Sequence, residues 1–213
     1  MLYEFKKGDL KKLNDLNQDL KTIFETYILS NSGFIYGESI LRKGSHMVKS
    51  DFKFFIPCPG GYVFRINSKD LYTAIKDNKK HISQMSLVDN KLYIGNDEKV
   101  FQIGVCVKAK FINLHKQFQE YTQLDNVKID DAKTAEELSN DDVKNLVGGF
   151  YIIIKNGKYK TRITKEVIPG LKKSHEVKID FFDHSKDKSL FFMTITVHRA
   201  HCVSYHTYTC IFM

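Results

Sequence analysis

Lysine side chains recur at the end of two segments that share one pattern, and ammonium groups arranged in this way suit the binding of phosphate. The first segment, RINSKDLYTAIKDNKKH, spans residues 65–81, and the second, TRITKEVIPGLKKSH, spans residues 161–175. Residues 68–71 (SKDL) align with residues 164–167 (TKEV), and Arg-Ile precedes both. The pattern predicts two copies of a capped amphipathic helix that ends in lysines.

Lysine fits a contact with a phosphate backbone that does not fix a register, because a flexible point charge holds no bidentate geometry. The candidate phosphate-binding side chains lie on the outward faces or at the ends of predicted helices: Lys11, Lys12, Lys21, Lys76, Lys79, Lys80, His81, Lys144, Lys172 and Lys173. The first helix is the weakest contributor, because Asp15 and Asp19 share the stripe of Lys11. For each of these lysines the alternative is an ordinary solvated helix face.

The overall charge permits a polyanionic partner without requiring one. The chain has 213 residues, a formal net charge of +8 and a pI near 9.1, which is compatible with binding to nucleic acid. The alternative is a lysine-rich composition inherited from an AT-biased genome. Hydrophobic content of 42% and charged content of 27% are typical of a soluble globular protein.

Metal and catalytic chemistry are not favoured by the sequence. His198, His201, Cys202 and His206 have separations that zinc ligands can have. On a strand, however, His198 and His201 point to opposite faces, which favours a structural role. No motif for acyl or phosphoryl transfer occurs. We therefore predict a protein that is not an enzyme and has no cofactor or metal.

The N-terminus and the cysteines indicate the compartment. MLYEFKKGDLKKLNDL lacks the apolar region of a signal peptide, and no apolar run approaches the roughly 20 residues of a membrane span. The four cysteines include no C-x-x-C pair, and three of them lie in apolar runs. These features predict a cytoplasmic protein, in the host cytoplasm if it is viral, with reduced cysteines and no membrane partner.

The periodicity of apolar residues predicts an α+β fold. Helices are expected at residues 9–27, 69–79 and 135–147, and a short one from Thr164, where Pro169 leaves the length uncertain. Strands are expected at residues 33–39, 45–57, 62–66, 82–88, 92–95, 100–107, 176–182, 190–197 and 203–212. Asn156-Gly157 predicts a hairpin within residues 150–163.

The chain divides into two related halves. Residues 1–108 form the first predicted domain, residues 109–133 a connector, and residues 134–213 a second domain that is short or degenerate. Each half is expected to be a curved antiparallel sheet backed by amphipathic helices. The second half has fewer predicted strands than the first.

Three short segments and this organisation resemble the family of DNA sliding clamps. The segments are SHMV (residues 45–48), SNDDVKNLV followed by YIIIKNGKYKTRI (residues 139–163), and YHTYTCIFM (residues 205–213). They are similar to elements of phage clamps and of the proliferating cell nuclear antigen type. The resemblance implies two domains of the DNA clamp fold and a non-enzymatic processivity factor. It also implies a homotrimeric ring around duplex DNA, a clamp loader, and a polymerase and other replication clients that dock through short peptides.

The resemblance further implies two protein-binding sites. A pocket for client peptides would use His46, Met47, Phe118, Tyr121, Leu124, Tyr205 and Tyr208. Subunits would pair through sheet edges at Phe101, Val105, Val107, Phe150, Ile152 and Ile154. The alternatives are a peripheral aromatic core for the first set and buried core strands for the second.

Two other functions remain open on the sequence alone. One is a monomeric, basic nucleic-acid-binding accessory factor with a clamp-like fold that never closes into a ring. The other is a non-enzymatic viral structural or scaffold protein whose charge is incidental.

Overall fold

The chain forms two compact units that are not contiguous in sequence. The computed structural model describes residues 1–29, 33–40, 44–109, 134–137, 139–149, 152–156, 159–183 and 187–212. Unit 1 comprises Met1–Ile40 and Lys49–Phe118, and unit 2 comprises Leu41–Val48 and Gln119–Met213. Most of the predicted connector, residues 110–133, lies outside the described residues.

Unit 1 is an antiparallel sheet with two helices packed on it. Its elements are β1 (Leu2–Glu4), α1 (Asp9–Leu20), β2 (Phe24–Leu29), β3 (Phe34–Ser39), β5 (Tyr62–Asn67), α2 (Ser68–Asn78), β6 (Gln84–Val88), β7 (Lys91–Gly95) and β8 (Val100–Lys108). The strand order is β1-β6-β7-β8-β5-β2-β3. Helix α2 packs against α1 and against β2, β5 and β8.

Local sequence rules account for α2 and for the hairpin that follows it. The Asn67 side chain caps α2 by accepting hydrogen bonds from the backbone N–H groups of Lys69 (3.0 Å) and Asp70 (2.9 Å). The β6–β7 hairpin turns through Asp89 (φ 49°) and Asn90 (φ 60°). Two left-handed residues in a two-residue loop are the geometry that matches strand twist. The helix predicted at residues 69–79 and the strands predicted at residues 82–88 and 92–95 are confirmed.

Helix α1 ends at Leu20, so the prediction of a helix to Tyr27 is wrong. The Thr22 hydroxyl donates to the carbonyl of Asp19 (2.7 Å) in the turn after the helix, and the chain enters β2 at Phe24. The register of β2 against β3 shifts between Phe24 and Thr26. Because of this bulge, Phe24 and Tyr27 are both buried although they are three residues apart. In the sequence, apolar residues at this spacing are typical of a helix.

Among the described residues, unit 2 consists of antiparallel strands, one helix and a separate hairpin. Its elements are β4 (Ser45–Lys49, of which the first four residues belong to this unit), β9 (Thr134–Glu137), α3 (Asn140–Val147), β10 (Ile152–Asn156), β11 (Tyr159–Ile163), β12 (Glu176–Asp183), β13 (Leu190–His198) and β14 (Val203–Ile211). The strand order is β4-β14-β13-β12-β9, and β10 pairs with β11 in its own sheet. Its core includes Leu146, Ile163, Phe181, Phe191 and Ile195.

Both helix predictions in the second half need correction. Residues 135–137 belong to β9, which pairs with β12, and α3 begins only after Ser139, whose hydroxyl accepts from the N–H of Asp142 (3.2 Å). The predicted helix from Thr164 is a single 3₁₀ turn, Lys165–Val167. Pro169 supplies no N–H, and Gly170 has a φ of +63°, so the chain turns away before an α-helical turn forms.

The strand order of unit 2 repeats part of unit 1. The order β1-β6-β7-β8 in unit 1 corresponds to β9-β12-β13-β14 in unit 2, and α1 and α3 follow the first strand of each set. The 3₁₀ turn at Lys165–Val167 follows β11 almost directly, without counterparts of β4 and β5 in the described residues. This gap explains why the second half is short. The predicted α+β class built on antiparallel sheet is confirmed.

The α-helices in the described ranges are at most 12 residues long. None of them has a stretch long and apolar enough to cross a bilayer.

Candidate nucleic-acid interface

A buried hydrogen-bond network fixes α1 against α2 in unit 1. The Asn17 side chain donates to the carbonyl of Ser68 (3.0 Å) and accepts from the Tyr27 hydroxyl (3.1 Å). The Ser68 hydroxyl in turn donates to the carbonyl of Phe24 (2.7 Å). Burial raises the pKa of Tyr27 well above its usual range, so the hydroxyl stays a donor. The network therefore sets the positions of the lysines on both helices.

Tyr72 brings lysines of the two helices together. The Lys21 ammonium, just after α1, lies 3.3 Å from the centroid of the Tyr72 ring on α2, and the Lys76 ammonium lies 5.8 Å from it. Both distances are within the range of a cation–π interaction. Lys69 is exposed on α2 as well, and the sequence analysis missed it because a lysine in the first turn did not fit the pattern of lysine-ended helices.

The C-terminal end of α2 carries a second group of cations. Lys79, Lys80 and His81 form an exposed 3₁₀ turn directly after the helix. Lys99, from the β7–β8 turn, donates to the Asn78 side chain (2.9 Å) and so joins this group. Cations are favoured there by the negative end of the helix dipole. Lys99 could not be predicted from sequence pattern, because only the fold brings it next to α2.

Lys11 and Lys12 are exposed on α1, as predicted from their spacing. Nearby carboxylates reduce the positive potential along this helix: Asp15 lies one turn beyond Lys11, and Asp9 begins the helix. The Tyr3 hydroxyl, which donates to Asp9 at 2.8 Å, lowers the pKa of Asp9 and keeps it ionised. Helix α1 is therefore a weaker anion-binding surface than α2.

The candidates in unit 2 are more dispersed. The Lys144 ammonium on α3 pairs with Asp141 at 2.9 Å, and both side chains are mostly exposed. Lys172 and Lys173 are exposed, but they lie in turns rather than at a helix end. The exposed Lys165 lies beside Gly149, at the end of α3. Unit 1 consequently holds the denser cation cluster among the described residues.

The residues predicted for a peptide pocket separate onto two faces of the sheet in unit 2. His46 on β4 lies against His206 and Tyr208 on β14, with ring centroids 5.1 and 5.9 Å apart. Because side chains alternate along a strand, Met47 and Tyr205 lie on the opposite face. Phe118, Tyr121 and Leu124 lie outside the described residues.

The prediction that β8 is an open sheet edge is wrong. β8 pairs with β7 through Val100–Val105 and with β5 through Gly104–Lys108, so Phe101, Val105 and Val107 belong to an interior strand. β10 pairs with β11. Phe150 lies outside the described residues, as do the side chains of Ile152 and Ile154. An intersubunit role for this second segment stays a prediction.

Unit 1 also contains a cleft that the sequence analysis did not predict. It has a volume of about 490 Å³, with Ile56 and Phe64 among its apolar lining and Lys49 and Lys53 among its polar lining. Burial raises the pKa of Cys58, which also lines the cleft, to about 12. A thiol with this pKa is protonated at neutral pH and is a poor nucleophile.

The described residues hold no group of three or more His, Cys, Asp or Glu side chains that could bind a metal ion. His198 and His201 are exposed, whereas His206 is buried and bonded within unit 2. The helices of unit 1 offer exposed ammonium groups at Lys11, Lys12 and Lys76.

The antiparallel sheets, the repeated strand order and the paired helices define a clamp-type α+β fold. The DNA polymerase III subunit beta from Pseudomonas aeruginosa is similar in structure, with a TM-score of 0.51 over 97% of this chain and 64% of that chain. The two sequences are only 8% identical, so the likeness is one of fold. No family model matches the chain, and neither does any curated protein sequence.

Proposed function

We propose that the protein is a DNA sliding clamp, a processivity factor that encircles duplex DNA and tethers a polymerase to it. The observation that carries this proposal is a clamp-type fold whose paired helices α1 and α2 present exposed lysines. Ammonium groups on such helices attract phosphates without reading bases. The protein needs no chemistry of its own for this role.

The proposed assembly is a homotrimer of the phage or proliferating cell nuclear antigen type. The chain has two compact units, and a ring of six such domains takes three chains. The chain also spans only 64% of the P. aeruginosa subunit. A closed ring with C3 symmetry gives every sheet edge at the subunit boundary a partner, which favours closure over open association.

The proposed DNA contacts are made mainly by α2 and its flanks. Lys76, Lys79, Lys80 and His81 are exposed there, and Lys21 is held beside them by Tyr72. Lys11, Lys12, Lys144, Lys172 and Lys173 add positive potential. Mobile lysine contacts leave the protein free to move along the backbone, because no single register is preferred.

The proposed partners are a polymerase, other replication clients and a clamp loader. Met47 and Tyr205 are half-buried on one face of β4 and β14, and they are the proposed contacts for a client peptide among the described residues. Phe118, Tyr121 and Leu124 of the connector are proposed to complete this surface.

A second candidate function is a monomeric, basic accessory factor with the same fold. The interior position of β8 favours it, because this strand does not offer an open edge for a neighbouring subunit. This factor would bind duplex DNA through the same lysines but would not enclose it.

We expect the protein to distinguish circular from linear duplex DNA. Protein allowed to assemble on a nicked circular duplex should stay bound through a wash at moderate salt and should leave when a restriction enzyme linearises the circle. The measurement is the fraction of labelled protein that elutes with DNA before and after cutting. Initial binding should weaken with salt. The slope of log K against log salt concentration should be about −0.9 per phosphate contact.

The control is the same DNA, linear from the start, on which the protein should not be retained. Equal retention of the protein on circular and linear DNA would contradict enclosure of the duplex and favour the accessory factor. No salt-dependent binding to either form would contradict both functions and favour a structural protein.

A further inference from the structure

Unit 2 contains a buried polar chain that joins β4 to β14. The Nδ1 atoms of His46 and His206 lie 2.8 Å apart, and the two residues are 8% and 0% exposed. On its other side, His206 Nε2 lies 3.0 Å from the Ser204 hydroxyl. That hydroxyl accepts a hydrogen bond from Nε of the buried Arg199 (2.9 Å). The contacts therefore connect His46 on β4 with Arg199 in the loop after β13.

The contact between the two imidazoles requires a defined protonation state. At 2.8 Å one Nδ1 must carry the hydrogen and the other must offer its lone pair. Two protons beyond the neutral pair make both Nδ1 atoms donors and place two like charges in a buried site. One added proton can be accommodated with one Nδ1 still accepting, so the hydrogen bond that joins β4 to β14 is lost when both imidazoles are protonated.

The groups that face the pair disfavour these protons further. Arg199 is permanently charged, and its guanidinium donates to the carbonyls of Pro169 (2.6 Å) and Gly170 (3.2 Å). Tyr208, whose hydroxyl donates to the carbonyl of Val167 (2.6 Å), packs its ring against His46. Burial first, then the nearby His46 and Arg199, lowers the pKa of His206 well below its usual range.

We propose that the His46–His206 pair is a proton-sensitive latch, which holds β4 in the sheet of unit 2 at neutral pH and releases it at mildly acidic pH. The released state takes up protons that the closed state excludes, so the opening equilibrium shifts as the pH falls below the ordinary histidine pKa of about 6.5. Opening leaves β14 without its neighbour on one side, as an edge that another strand can occupy. The latch does not depend on DNA binding.

Hydrogen exchange followed by mass spectrometry or NMR tests the latch in the full-length chain. Protection factors, corrected for the intrinsic exchange rate at each pH, are measured for the amides of Ser45–Lys49 between pH 7.5 and 5.5. We expect protection to fall by up to about tenfold per pH unit below 6.5 for each proton taken up. Protection of β12 and β13 should stay constant over this range.

Variants separate the latch from general acid sensitivity. His206→Gln and, independently, His46→Gln each keep a polar group at the site but remove one titrating ring, so either variant should show a shallower profile in β4, and the double variant a flat one. His198→Gln, which changes an exposed histidine on β13, should keep the wild-type profile. Constant protection of β4 down to pH 5.5 in the wild type would overturn the latch. So would an equal loss throughout unit 2, or a wild-type profile in both glutamine variants.

Discussion

Replacing Lys79 and Lys80 together by glutamate is expected to weaken binding to duplex DNA by about tenfold or more at moderate salt, without unfolding the protein. Both side chains are exposed in the 3₁₀ turn after α2, so no core contact is lost. The substitution removes two cations beside Lys99 and adds two carboxylates that repel phosphate. Fluorescence anisotropy with a labelled duplex measures the affinity.

The salt dependence gives a second measure of the same effect. Loss of two phosphate contacts should reduce the slope of log K against log salt by about 2. The matched control is Lys53→Glu with Lys91→Glu, which makes the same change in net charge at exposed lysines outside α1, α2 and their flanking turns. If the control weakens binding as much as the test pair, only net charge matters. If neither affects it, α2 does not face DNA.

Asn17→Ala is expected to destabilise the protein by about 2–6 kcal/mol. The truncation removes two buried hydrogen bonds and leaves the carbonyl of Ser68 and the hydroxyl of Tyr27 without these partners. A buried polar group deprived of its partner costs about 1–3 kcal/mol, and two are affected. Urea unfolding followed by circular dichroism in the far ultraviolet measures the change.

Asn14→Ala is the control on the same helix. Asn14 is half-buried and only accepts a long hydrogen bond from Gln18 (3.4 Å), so its loss should change the free energy of unfolding by less than about 0.5 kcal/mol. A change at Asn17 as small as this would mean that apolar packing, rather than the Asn17 network, fixes α1 against α2.

Elements governed by local rules were predictable from the sequence. The capped helix α2 and the strands β6 and β7 each depend on residues close together in the chain. The antiparallel meander of β6, β7 and β8 follows from short connections and alternating side chains. These elements sufficed to predict the α+β class and two related halves.

The errors have identifiable physical causes. A bulge in β2 gave Phe24 and Tyr27 a helical spacing, and Pro169 with Gly170 stopped a helix that the repeat predicted. The pairing of β4 with β14 joins residues about 160 positions apart, and no local pattern specifies such a partner. The interior position of β8 depends on β5 in the same way.

In the candidate site, too, some features follow from local sequence and others depend on tertiary contacts. Exposed lysines on α2 could be predicted from helical periodicity, because solvated faces follow from the buried stripe. The contact of Lys21 with Tyr72 and the position of Lys99 beside Asn78 are tertiary. They required the packing of α1 on α2 and the return of the β7–β8 turn. The contact of these cations with phosphate is a prediction, and the glutamate variants described above test it.

Native mass tests the proposed ring most directly. Light scattering or sedimentation of the full-length chain, over a range of protein concentrations at moderate salt, gives the mass independently of shape. A homotrimer of 24.8 kDa chains has a mass of about 74 kDa, and we expect this species to persist on dilution. A mass of one chain at every concentration would contradict the ring and leave the open accessory factor as the function that the fold supports.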